Sequence, residues 1–115
     1  MYQKTLIVGR VGGDAEMRYT PSGDPVTSFS VAVSRKFRNG SGEQQEVTTW
    51  FRVTTWRKLA ESCGEYVKKG MLVLVDGSQL ESRAWLKDGE ARYSLELTAD
   101  NVRFLSRSES NGGNG

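Results

Sequence analysis

Histidine is absent from this 115-residue chain and cysteine occurs once, at Cys63. Without histidine there is no Ser-His or Cys-His catalytic pair and no zinc site built on imidazole, and one thiol cannot make a tetrathiolate site. A lone cysteine also forms no intramolecular disulfide, which suits a reducing compartment. Long apolar runs are missing as well. Met1-Tyr2-Gln3-Lys4 leads straight into Thr5-Leu6-Ile7-Val8, too short an apolar stretch for a signal segment, and no later run is long enough for a membrane span. A soluble, cytoplasmic protein with no metal and no cofactor is expected. Carboxylates such as Asp14, Glu16 and Asp24 lie in turn-like sequence with nothing arranging them for acid–base chemistry, so the chain does not read as an enzyme. Excess charge is small too: 16 Lys and Arg against 14 Asp and Glu leave +2. The overall field is therefore a weak attractant for a polyanion, and the placement of the charges matters more than their sum.

That placement is informative. In Trp50-Phe51-Arg52-Val53-Thr54-Thr55-Trp56, strand alternation puts Trp50, Arg52, Thr54 and Trp56 on one face and Phe51, Val53 and Thr55 on the other. The two indoles would stand roughly 20 Å apart along the strand, with the Arg52 cation between them. Buried core is the alternative use of such indoles, but Phe51 and Val53 are better placed for it. Cations surround aromatics elsewhere as well. Arg35, Lys36 and Arg38 flank Phe37; Arg52, Arg57 and Lys58 accompany the indoles; Arg83 and Lys87 flank Trp85.

Apolar spacing predicts strands over residues 5–11, 26–33 and 48–56, a nearly continuous apolar strand at 71–75, and a long fifth strand beginning near Tyr93. In that last strand Tyr93, Leu95 and Leu97 alternate with polar residues until Val102 and Phe104 shift the parity, which predicts a bulge or a bend near 99–101. Residues 58–69 carry Leu59, Cys63 and Tyr66 with Val67 at helical spacing and meet Gly70, so a single helix is expected there, with Cys63 on its apolar face. Asp88-Gly89 is a hairpin signal. After Leu105 no apolar residue remains. Residues 1–105 are thus expected to form one domain and 106–115 a disordered Ser/Asn/Gly tail. An all-β chain of five strands with one helix between the third and fourth matches the partly open Greek-key barrel called the OB-fold.

Nonspecific binding of a single-stranded nucleic acid requires aromatic faces for bases and cations for phosphates. Trp50, Trp56 and Trp85 are the candidate stacking rings, with Phe37 behind them because alternation from Phe29 through Val33 turns it toward the core. Arg35, Lys36, Arg38, Arg52, Lys58 and Arg83 are the neighbouring cations.

Here the chain resembles the bacterial single-stranded DNA-binding protein family. The resemblance rests on Leu6-Ile7-Val8-Gly9-Arg10-Val11-Gly12, Arg18-Tyr19-Thr20-Pro21-Ser22-Gly23, Phe29-Ser30-Val31-Ala32-Val33, Thr49-Trp50-Phe51-Arg52-Val53, Trp56-Arg57-Lys58-Leu59-Ala60-Glu61, Tyr66-Val67-Lys68-Lys69-Gly70 and Asp76-Gly77-Ser78-Gln79-Leu80, in order along the chain. It implies an OB-fold assembled as a homotetramer in the bacterial cytoplasm, associated with the nucleoid. Such a protein coats and protects single-stranded DNA in replication, recombination and repair. It further implies stacking at Phe37, Trp50, Trp56 and Trp85, and phosphate contacts at Lys4, Arg52, Lys58, Lys69 and Arg83. There are departures. Phe51 stands where many relatives carry a histidine used in subunit association, and Glu81 and Ala84 occupy places where a relative is basic. The family usually recruits replication and repair proteins through an acidic, apolar C-terminal tip, whereas Asn111-Gly112-Gly113-Asn114-Gly115 is neither acidic nor apolar; the absent tip reads as truncation within a linker.

A protein-interaction or assembly module of OB-fold shape, with the indoles as anchors, is the competing reading. The interleaved Arg and Lys argue against it, because charge is depleted at interface centres. An RNA partner differs only in its 2′-hydroxyl, and the resemblance alone favours DNA.

Overall fold

A computed structural model describes residues 1–106. Its elements are β1 (Thr5–Val11), β2 (Glu16–Tyr19), β3 (Pro25–Arg38), β4 (Gln44–Trp56), α1 (Arg57–Tyr66), β5 (Leu72–Lys87) and β6 (Glu90–Ser106). The strands lie in the order β1-β5-β6-β4-β3-β2, and β1 also pairs with β3 at Arg10–Ala32 and Val11–Val31. That last contact closes five of them into a barrel. One pairing in the ring is parallel, Phe51 to Thr54 of β4 against Leu95 to Thr98 of β6. The helix between the third and fourth barrel strands is where the sequence predicts it. Among the described residues no helix is long and apolar enough to cross a membrane.

Alternation builds the interior. Phe29 and Val31 of β3, Val53 of β4, Val73 and Val75 of β5 and Leu97 of β6 are all almost fully buried. α1 closes one end of the barrel with Ala60 and Cys63, and the following Val67 is buried as well. Two inward hydroxyls are satisfied there: Thr27 Oγ1 donates to the Ala60 carbonyl at 2.6 Å and Thr55 Oγ1 to the Thr27 carbonyl at 2.9 Å. Burial pushes the Cys63 thiol up to about 11, so it is a packed neutral group rather than a nucleophile.

Several boundaries differ from the expected ones. The helix stops at Tyr66 instead of 69: Val67 turns extended and enters the core, its N–H still bonded to the Cys63 carbonyl, and Gly70 takes a positive φ of 88° in the next turn. Its first residue, Arg57, sits at φ 57°, a left-handed conformation at the abrupt strand-to-helix junction. The strand expected at 71–75 runs on to Lys87, because β5 and β6 continue past the barrel as a hairpin closed by Asp88 and Gly89, both at positive φ (52° and 79°) as a type I′ turn demands. β3 and β4 also extend beyond the barrel as a hairpin, in unbroken register from Val26–Trp56 to Arg38–Gln44. β2, a four-residue strand added to β3, was not expected.

The bulge expected at 99–101 is present. Asp100 is the extra residue in β6, answered by an extra Ser78 in β5, and the Ser78 hydroxyl donates to Asp100 Oδ1 at 3.3 Å. Ser106, expected to open the tail, is the last residue of β6 and lies opposite Leu72; the rest of the expected tail, 107–115, falls outside the described residues.

Candidate nucleic-acid interface

The outward residues of β3, β4, β5 and β6 form one continuous surface. Cross-strand partners share a face, so the registers Glu81–Glu96, Glu96–Arg52 and Arg52–Ser30 define a row running across four strands. From Arg52, alternation carries the face to Trp50 on one side and to Thr54 and Trp56 on the other. From Glu81 it runs through Arg83 to Trp85, which lies opposite Arg92. Trp50 is 54% exposed, Trp56 40% and Trp85 46%. These rings are therefore seated on the sheet with a free side, as base stacking requires, and the inward places are filled by Phe51, Val53 and Thr55 as the alternation predicts.

Phe37 is different. The register of β3 with β4 has no bulge, so Phe37 keeps the inward parity of Phe29 and Val31. It escapes burial because β3 has by then left the barrel, and 44% of its surface is exposed. It thus lies on the opposite face of the hairpin from Trp50, with the Arg35 guanidinium 6.0 Å from its ring centre.

Several of the expected cations already hold carboxylates. Lys4 Nζ lies 2.8 Å from Asp76 and 3.7 Å from Asp100, and the bond to Asp76 raises its pKa above the ordinary value. Arg52 pairs with Glu16 at 3.8 Å and Arg83 with Glu96 at 3.8 Å, while Arg57 beside Trp56 reaches Asp24 at 3.9 Å. Arg38 donates to the Gly42 carbonyl at 2.9 Å. Among the described residues Lys36, Lys58 and Lys69 are exposed and take part in none of these ion pairs. The Lys69 backbone N–H donates to Asp14 at 2.9 Å.

Past Phe51 and Leu95 the parallel pairing of β4 with β6 ends and the two hairpins diverge. An open groove of about 470 Å3 lies in the gap, lined by Thr48, Thr49 and Trp50 of β4, Ser82 of β5, and Tyr93, Ser94 and Leu95 of β6. Tyr93 is 76% exposed. Its alternation with Leu95 and Leu97 reads as core; what reverses that reading is the length of the hairpin, which the local pattern does not show.

A closed barrel with this strand order and one helix between its third and fourth strands is an OB-fold, the class that grips oligonucleotides on a sheet face and adjoining loops. Residues 2–105 match the single-strand binding protein family, and the chain belongs to it. It is 38% identical over 112 residues to single-stranded DNA-binding protein 1 of Chlorobaculum tepidum, covering 96% of this chain and 68% of that one. With the single-stranded DNA-binding protein of Neisseria meningitidis serogroup A the identity is 41% over 112 residues, covering 96% and 64% respectively. The chain thus spans about two thirds of the length of these relatives. The solved complex of Plasmodium falciparum SSB with ssDNA superposes with a TM-score of 0.79 at 26% identity, covering 92% of this chain and 96% of that one.

Proposed function

We propose that this chain binds single-stranded DNA without sequence preference and shields it, with no catalytic step, in replication, recombination and repair. The observation that carries this reading is the single outward face on which Trp50, Trp56 and Trp85 stand half exposed with Arg52, Arg83 and Arg92 among them. The named relatives and the ssDNA-bound neighbour support it. Bases stack on the rings, each contributing about 1–3 kcal/mol, and phosphates meet Arg52, Arg83, Lys58, Lys69, Lys4 and the cluster Arg35, Lys36 and Arg38. Lys4, Arg52 and Arg83 exchange carboxylates for phosphates when they do so. The protein-anchor reading of the indoles is less well served, because charged pairs occupy the middle of the face.

Self-association, with a homotetramer as the proposed state, is supported by β1. Leu6 and Val8 project outward and exposed beside the half-buried Leu74, and β1 meets β3 only at Arg10 and Val11, which leaves its first residues with a free edge. Of the apolar run at 71–75, Leu72 and Leu74 are the residues that serve an interface, since Val73 and Val75 point into the barrel and Met71 packs against its core. Phe51 packs against this protomer's own core. The assembly acts in the bacterial cytoplasm on nucleoid DNA. Quenching of tryptophan fluorescence by oligo-dT tests the binding reading.

A further inference from the structure

We infer that the groove between the diverging edges of β4 and β6 is a nucleobase subsite, with Tyr93 as an additional base-binding ring. The inference rests on the single-stranded DNA reading and extends it to a residue outside the four rings predicted from sequence. Trp50 lines the groove from the outward face and Tyr93, which keeps the parity of Leu95, from the reverse face, so a base turned inward from a strand on the outward face enters the gap between the hairpins to meet the phenol. Its volume of about 470 Å3 lies within the range of small-molecule sites. The lining suits a base: an indole and a phenol for the ring, and the hydroxyls of Thr49 and Ser82 for its polar edge, whereas Thr48 is bonded to Ser34 at 3.0 Å and Ser94 donates to Glu96 at 3.2 Å. The backbone edges also contribute. Pairing between β4 and β6 is confined to Phe51 to Thr54 against Leu95 to Thr98, so the facing edges of Thr48 to Trp50 and of Tyr93 and Ser94 are open to solvent or a ligand. A tyrosine 76% exposed in such a groove supplies a rigid apolar face at low entropic cost.

The test compares oligo-dT binding by the wild-type chain, Tyr93→Ala and Tyr93→Phe across a salt series. Tyr93→Ala is expected to weaken binding at least about fivefold at every salt concentration, with the slope of log affinity against log salt unchanged, because no phosphate contact is lost. Tyr93→Phe should stay within about twofold of wild type, as stacking needs the ring and not the hydroxyl. Photocrosslinking of wild-type protein to oligonucleotides carrying 5-iodouridine gives a second readout independent of any variant, with an adduct on Tyr93 expected by peptide mapping. If wild-type protein binds oligo-dT while Tyr93→Ala binds equally well, or if adducts form only on other aromatics, the subsite is overturned and the binding reading stands. A wild-type chain that fails to bind oligo-dT overturns both.

Discussion

The indole of Trp50 lies directly over the backbone of Gly12: a methyl group added at Gly12 would sit 2.6 Å from Trp50 Cζ3 and 3.0 Å from the Ser30 hydroxyl. The outer edge of the indole therefore occupies space that only a glycine, just past the end of β1, leaves open, while about half of the ring stays exposed for a base. Gly12→Ala is expected to push the indole off this seat at little cost in stability, because Gly12 is exposed and what must move is the outer edge of a half-exposed ring. It should leave the thermal midpoint nearly unchanged, shift the tryptophan emission to the red and weaken oligo-dT binding severalfold. Thermal melts and emission spectra of the variant measure this directly.

The opposite placement of Phe37 and Trp50 on the β3–β4 hairpin gives a length-dependent prediction. Oligonucleotides just long enough to cover the Trp50 and Trp56 face should bind Phe37→Ala as they bind the wild type. Longer ones that pass around the hairpin should lose roughly 1 kcal/mol or more. Anisotropy titrations over a ladder of dT lengths distinguish the two regimes; an equal loss at every length contradicts the two-face arrangement.

Glu96 pairs with Arg83 at 3.8 Å and stands opposite Arg52, itself held by Glu16, in the parallel register, so it competes with phosphate for Arg83 and adds negative charge beside Arg52. Removing its charge with Glu96→Gln should tighten oligo-dT binding by up to about fivefold at low salt, the range of an exposed ion pair. It should also steepen the salt dependence, because freed cations neutralise further phosphates. Salt titrations of wild type and variant provide the comparison.

Cys63 sets a pH dependence of stability. Burial raises the folded thiol from 9.0 to about 11, so the unfolded thiol ionises first as pH rises. Stability from this group is complete below pH 9, falls between pH 9 and about 11 as the unfolded state loses its proton, and then levels. The total is on the order of 2–3 kcal/mol. Cys63→Ala should flatten the decline in denaturant midpoint over that window, although it lowers stability at neutral pH by opening a small cavity.

Sequence pattern reveals what is local and repeats. The outward set Trp50, Arg52, Thr54 and Trp56, the inward Phe51, Val53 and Thr55, the I′ turn at Asp88-Gly89 and the bulge around Asp100 all follow from alternation or turn chemistry within a few residues. Contributions from other strands are not visible that way. Glu16, Glu96 and Asp76 reach Arg52, Arg83 and Lys4 only after the barrel closes, and no spacing rule links them beforehand. Strand length is the other blind spot. Phe37 and Tyr93 carry core parity yet stand exposed because their hairpins outrun the barrel, and β2 is so short that its one polar–apolar alternation, Glu16-Met17-Arg18-Tyr19, does not stand out. The helix ended early because burial of Val67 outweighed the helical propensity of Lys68 and Lys69.

Half-exposed indoles that stack on the bases of single-stranded DNA must report the contact in their own emission, so the decisive measurement is intrinsic tryptophan fluorescence titrated with oligo-dT at low and high salt, beside duplex of equal length. Strong quenching by oligo-dT, weaker binding at high salt and no comparable quenching by duplex are the predicted result. No quenching by oligo-dT at low salt would contradict the account and leave all three indoles facing something other than DNA.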